Sequence, residues 1–166
     1  MFTAACGFSQ SALRSDGWFK GLNDSFGHEA GDKVLKKFAE ILRNNCRSSN
    51  ICGRIGGEEF LMGLTHSDLE GTTVAVERIR ENLAEKVFTF GTHDINVTAS
   101  FGIARLDRES KSEDYCQLVC RADKALYSAK QTGRNRIAFA TSNETRGSRT
   151  DKQELNITRT NSSTSS

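Results

Sequence analysis

Residues 54–60 read RIGGEEF. Two glycines are followed by two glutamates, and an apolar run, Phe60-Leu61-Met62, begins at once. Glycines give a turn its backbone freedom and let a ligand come close. Glutamate favours neither a turn nor a strand, so its presence here needs another reason. The segments on either side, 50–55 and 59–64, predict a β-hairpin with Gly56 and Gly57 in its turn. Glu58 and Glu59 would then project from the tip. Hard carboxylate oxygens in that place suit Mg2+, which takes one or two protein carboxylates together with substrate phosphates. A solvated acidic turn is the plainer alternative, and the motif alone leaves both open.

Outward from the hairpin, helices and strands mix. Residues 27–47 carry Val34, Leu35, Phe38, Ala39, Ile41 and Leu42 at helical spacing. Asp24, Ser25, Glu29 and Asp32 supply the acidic or capping groups expected near a helix start. Residues 69–87 repeat the pattern with Val74, Val76, Ile79 and Leu83. In 94–104 the alternation of Ile95, Val97, Ala99 and Phe101 predicts a strand. Residues 113–132 predict a third helix closed by Gly133, and 135–140 a last strand. Helices around an antiparallel hairpin predict an α+β layered domain. From Thr141 on, Ser, Thr, Asn and charge dominate, so 141–166 is expected to be a disordered polar tail.

The bulk composition removes several function classes. A chain of 166 residues has room for one core. Its net charge of +2 gives no nucleic-acid footprint. No apolar run of about 18 residues is present to span a membrane. The start, MFTAACGFSQSALR, lacks the basic and apolar blocks of an export signal. Cys6, Cys46, Cys52, Cys116 and Cys120 form an odd set in a chain that is not cysteine-dense. Reduced packing thiols and a cytoplasmic location follow.

Two further clusters have residue types suited to a nucleotide. In FKGLNDSFGHEAGD, residues 19–32, Asn23 and Asp32 flank a glycine-bearing turn. An amide and a carboxylate together match guanine, which offers both donors and acceptors. Each residue by itself is as readily a helix cap. His28 lies between them, and alone it is more often a packing residue. In RADKALYSAKQTGRNRI, residues 121–137, Lys130 and Arg134 stand near a helix end where Gly133 lets the chain turn. They can hold phosphates or complement the helix C-terminus. No phosphate loop of the G-x-x-x-x-G-K-[ST] kind is present, nor a G-x-S-x-G elbow.

Taken together, these segments resemble the GGDEF family, the diguanylate cyclases. RIGGEEF resembles the family's signature turn in its GGEEF form, and WFKGLNDSFGHEAGDKVL the segment preceding it. VTASFGIA and RADKALYSAKQTGRNRI resemble two C-terminal signatures. The likeness runs from about Trp18 to Ile137. It implies a palm like that of adenylyl cyclases, a central, mainly antiparallel sheet flanked by helices. It implies condensation of two GTP into cyclic di-GMP, a bacterial second messenger, by a homodimer that holds one GTP in each half. By position, Asn23 and Asp32 would read guanine with His28 nearby, and Lys20, Lys130 and Arg134 would serve the substrate. Glu58 would be the catalytic carboxylate and a ligand for Mg2+ or Mn2+, with Glu59 supporting the turn.

The departures from the family point elsewhere. The family reaches this segment by a strand ending Asp-x-Asp-x-Phe-Lys, whose first Asp binds metal. Ser15 stands in that place, with Asp16 beside it on the opposite strand face as the remaining candidate ligand. Residues 1–14 read as too polar for a central buried strand. The expected organisation is therefore an atypical N-terminus over 1–14 and an N-terminally truncated GGDEF domain over 15–140, its first strand degenerate or missing. The family's inhibitory product site, Arg-x-x-Asp, reads RSSN here, with Arg47 kept and Asn50 replacing the acid. The alternative function is a degenerate domain that binds nucleotide or protein without turnover.

Overall fold

The structure is a computed structural model that describes residues 1–10, 17–106 and 114–141. Its elements in chain order are β1 (Phe2–Gln10), α1 (Trp18–Phe26), α2 (His28–Asn45), β2 (Ile51–Gly56) and β3 (Glu59–Leu64). They continue with α3 (Leu69–Ala84), β4 (Val87–Phe90), β5 (His93–Arg105), α4 (Tyr115–Gln131) and β6 (Ile137–Phe139). The strands lie in the order β2-β3-β1-β5-β4. All of those neighbours are antiparallel, while β6 joins β5 in parallel. This is the α+β sheet with flanking helices that the sequence predicts.

The first strand is neither degenerate nor missing. β1 is central, pairing with β3 from Phe2↔Leu64 to Cys6↔Phe60 and with β5 from Phe2↔Arg105 to Gln10↔Val97. FTAACGFSQ reads as polar only when its two faces are averaged. Phe2, Ala4 and Phe8 alternate and are buried in the main core. Thr3 and Gly7, also buried, point to the other face, where only small groups fit. Ser15 and Asp16 lie outside the described residues, as does the segment 142–166 of the expected tail.

Two further elements differ from expectation. Residues 18–26 form α1, where Gly21 and the Asn23-Asp24-Ser25 run resemble a turn in sequence. The helix forms because Trp18, Phe19 and Leu22 make one buried face, and Gly27 separates it from α2. Helix α3 stops at Ala84 rather than running on to 87, and Val87–Phe90 becomes an edge strand against β5. Its start is fixed by Asp68, whose side chain accepts from Gly71 N at 2.8 Å.

The sheet faces two layers. On one side Val34, Leu35, Phe38 and Leu42 of α2 and Val76, Ile79 and Leu83 of α3 pack on Val97, Ala99, Phe101 and Ile103. On the other, α4 lies against β5 through Leu118, Ala122 and Leu126. A capping box between Asp114 and Gln117 starts α4. The approach is so close that a Cβ on Gly102 would overlap Ala122 O and Leu126 N.

Candidate active site

The hairpin tip forms as its glycines predict. Gly57 takes φ 46°, and Arg54 Nε donates to Gly57 O at 2.7 Å to close the turn. A bulge between Arg54 and Gly56 breaks the ladder just before the glutamates. Glu58 is half-buried on the turn, and Glu59 begins β3 and is exposed. Burial pushes the Glu58 carboxyl above its ordinary range; the Lys130 ammonium pulls it back down, and neighbouring Glu59 adds to the rise.

Lys130 belongs to the last turn of α4, yet its side chain extends across β1. A Cβ at Gly7 would come within 2.7 Å of Lys130 Nζ and 2.9 Å of its Cε. Gly7 stands one step beyond the Cys6↔Phe60 pair, hence beside the start of β3. The missing side chain therefore leaves the space in which the ammonium reaches the Glu58 turn. Sequence reading found both charged residues but not the glycine that admits their meeting.

Arg134 follows the end of α4. Its N–H donates to Ala129 O at 3.0 Å, the reverse turn expected when glycine, here Gly133, follows the cap. Arg134 and Asn135 are both left-handed, with φ 56° and 44°. Asn135 Oδ1 accepts from Arg80 Nη1 of α3 at 2.8 Å. Nothing in the sequence ties Arg80 to this turn; its only signal is the charge spacing Glu77-x-x-Arg80 on one helix face.

The guanine candidates meet at the junction of α1 and α2. Asn23 lies so close to Gly31 that a side chain there would overlap its Oδ1. That Oδ1 is buried and accepts no hydrogen bond. Buried acceptors normally have partners, so an unpaired one signals a missing donor. Asp32 is the next residue after Gly31 and is exposed, as are His28 at the start of α2 and Lys20 on α1. Phe8 of β1 links this corner to the hairpin: its ring centroid is 6.2 Å from Phe19 and 6.0 Å from Phe60.

Among the described residues, no group of three or more His, Cys, Asp or Glu forms a metal cage. A cation held mainly by substrate phosphates needs less. The half-buried carboxyl of Glu58, with Glu59 beside it, offers the hard oxygens such an ion takes. The donor set thus fits a divalent ion, and Glu58 would hold it.

Arg47 and Asn50 lie together in the loop between α2 and β2 and line a cavity of about 200 Å³ with Arg78 of α3. Asn50 Oδ1 is already used, accepting from Thr65 N at 3.2 Å. A larger cavity of about 490 Å³, lined by Lys33, Lys36, Lys37 and Lys86 together with Glu29 and Glu40, contains none of the candidate substrate-binding or metal-binding residues. No helix among the described residues is long and apolar enough to cross a membrane.

Comparison with known proteins agrees with this geometry. Residues 17–136 match the family model described as diguanylate cyclase, GGDEF domain. Diguanylate cyclase A of Treponema denticola is 39% identical over 126 residues, 76% of this chain and 33% of the relative. Diguanylate cyclase DgcP of Pseudomonas aeruginosa is 41% identical over 122 residues, 74% of this chain and 18% of the relative. The chain thus spans a third or less of these two curated relatives. Among solved structures, the GGDEF domain of DgcB from Caulobacter crescentus, in complex with c-di-GMP, superposes with a TM-score of 0.73 at 29% identity. That match covers 84% of this chain and 77% of the other. The active GGEEF domain of a diguanylate cyclase from Vibrio cholerae gives 0.70 at 30% identity, covering 86% and 85%. Divalent-metal dependence is general among such cyclases. A hairpin tip bearing Glu58, a lysine laid over Gly7 and a match over residues 17–136 agree: this chain belongs to the GGDEF family of diguanylate cyclase domains.

Proposed function

We propose that the chain condenses two GTP into cyclic di-GMP. The observation that supports this most directly is the convergence of Glu58 and Lys130 across Gly7. A carboxylate and an ammonium at one hairpin tip match the two needs of phosphoryl chemistry, metal and phosphate binding. Asn23 Oδ1, buried and unpaired, accepts an N–H of guanine, and Asp32 accepts a second. His28 stands close to the nucleotide, and Lys20 assists in holding it. Lys130 and Arg134 hold the triphosphate.

In each half-reaction the 3′-hydroxyl of one GTP attacks the α-phosphorus of the other. A P–O3′ bond forms, the bond from the α-phosphorus to the β-phosphate bridge breaks, and pyrophosphate leaves. Glu58 would hold a divalent ion, Mg2+ or Mn2+, which would supply charge neutralisation at the phosphates. Glu58, as the carboxylate, takes the hydroxyl proton, and its partial burial raises its affinity for that proton. Glu59 holds the turn that presents it. Two domains face each other so that each GTP is both nucleophile and electrophile, which makes a homodimer the working unit. Arg47 and Asn50 form a weakened product site, since a neutral amide at position 50 cannot pair with an arginine as a carboxylate does. We place the reaction in the cytoplasm, in keeping with the free thiols of Cys46, Cys52, Cys116 and Cys120.

The test is incubation of purified protein with GTP and Mg2+, with mass spectrometry for cyclic di-GMP and Glu58→Gln as control. Product from the native chain and none from the variant is the expected result. A folded native sample that makes no product, and binds GTP equally well with and without Mg2+, defeats the proposal in favour of a nucleotide-binding module without turnover.

A further inference from the structure

We propose that Arg80 is a positioning residue for Arg134, acting through the side chain of Asn135; this rests on the reading of Arg134 as a phosphate ligand. The turn after α4 places two successive non-glycine residues, Arg134 and Asn135, in the left-handed region at φ 56° and 44°. That conformation is disfavoured for residues with a Cβ, although Asn tolerates it better than most. Holding two in succession calls for a restraint from outside the turn. Arg80 supplies it. Its Nη1 donates to Asn135 Oδ1 at 2.8 Å, between residues 55 apart in sequence.

The guanidinium is itself fixed. Nε and Nη2 donate to the two carboxylate oxygens of Glu77 at 2.9 and 2.6 Å, and Nη2 stands 3.6 Å from Glu81. Its side chain is only 15% exposed. A planar fork gripped on one edge by a carboxylate has its other edge aimed in one direction. That direction is Asn135. The path Glu77, Arg80, Asn135, Arg134 thus runs from a partly exposed flank of α3 to the phosphate-binding turn. Lysine at position 80 keeps the charge but cannot grip Glu77 and Asn135 at once.

Two measurements test the assignment, with Arg80→Ala, Arg80→Lys and Asn135→Gly, the last of which keeps the backbone free to be left-handed. The first is amide hydrogen exchange. The Arg134 amide is expected to exchange about tenfold faster in all three variants, while the Ala99 amide in the middle of β5 is unchanged. Unaltered exchange at Arg134 overturns the proposal. This measurement needs no nucleotide, so it decides the matter even if the native chain takes up no GTP, an outcome that would defeat the functional reading instead. The second is titration with GTP and with guanosine. GTP is expected to bind about tenfold more weakly to the variants, the loss usual for a charge-assisted bond, with guanosine unaffected. Arg80→Ala combined with Arg134→Ala should be no weaker than Arg134→Ala alone. Equal losses for GTP and guanosine, or additive losses in the double variant, would show Arg80 to be a general structural tie and overturn the proposal.

Discussion

The two faces of the sheet are built by different means. The face under α1, α2 and α3 is filled by rings. Phe8 meets Phe38 at 4.9 Å and Phe60 at 6.0 Å, and Phe38 meets Phe60 at 5.0 Å, all nearly edge-on. The face under α4 is almost bare, with Thr3, Gly7, Ser100, Gly102 and Ala104 opposite Ala122 and Leu126. One face gains stability from side-chain volume, the other by letting a helix backbone approach the strands. The contrast matters for the site. Rings tie α1 to the hairpin through Phe8, whereas the bare face is what allows Lys130 of α4 to reach over the sheet to Glu58.

The bare face should break first. At Gly102 a Cβ would meet backbone atoms of α4, which cannot swing aside as a side chain end does. Gly102→Ala is expected to cost about 4 kcal/mol or more, beyond the usual range for overpacking. Urea unfolding measures this, and a loss under about 1 kcal/mol would mean that α4 slides freely on the sheet. On the ring-filled face, Phe8→Ala removes a buried ring that touches three others and should cost about 3–4 kcal/mol. It should also loosen α1 from the hairpin. If GTP binding survives at native strength in a folded Phe8→Ala protein, the ring bridge does not hold the site together.

A third substitution separates stability from function on the bare face. At Gly7 the obstructed atoms are Nζ and Cε of Lys130, the far end of a flexible chain. Gly7→Ala should therefore cost about 1 kcal/mol or less in stability. Turnover should fall at least about tenfold, as expected when a charge-assisted contact is displaced. Equal activity in the variant would show that the close approach of Lys130 is incidental.

These positions also show what sequence can reveal. The hairpin, the glycine stop after α4 and the charged candidate residues are local signals, readable within a few residues. Glu58, Lys130, Asn23 and Asp32 could be singled out as candidates for that reason, and the layered α+β fold was legible. β1 was not, because the worth of Thr3 and Gly7 lies in the helix that crosses them more than a hundred residues later. Helix α1 was obscured by turn-forming residues overridden by the burial of Trp18, Phe19 and Leu22. Arg80 gave only a helical charge pair, since its partner Asn135 becomes a neighbour solely through the tertiary fold.

The hairpin's electrostatics provide a subtler probe. Burial raises the Glu58 pKa above its ordinary 4.5, so the folded state prefers the protonated form. That preference stabilises the fold at low pH and is lost as pH rises through the raised value. Glu58→Gln has no charge to bury. Its melting temperature relative to the native chain should therefore climb from pH 4 to pH 7, by a few degrees at most. A difference that stays flat with pH, or falls, would mean that Lys130 outweighs burial and holds the carboxylate charged.

The smallest effects belong to two hydroxyls on the bare face. Thr3 Oγ1 and Ser100 Oγ are buried without hydrogen-bond partners. A buried hydroxyl left unpaired has lost its water without compensation, so an apolar group of the same shape should do no worse. Thr3→Val keeps the branched shape that α4 packs on, and Ser100→Ala removes only one atom. Each is expected to leave stability unchanged or raise it by up to about 1 kcal/mol. The sign is the informative part. If either substitution destabilises the chain, these hydroxyls have a partner in solution, and the interval between α4 and the sheet is wet near Thr3 or Ser100 rather than closed by backbone contact.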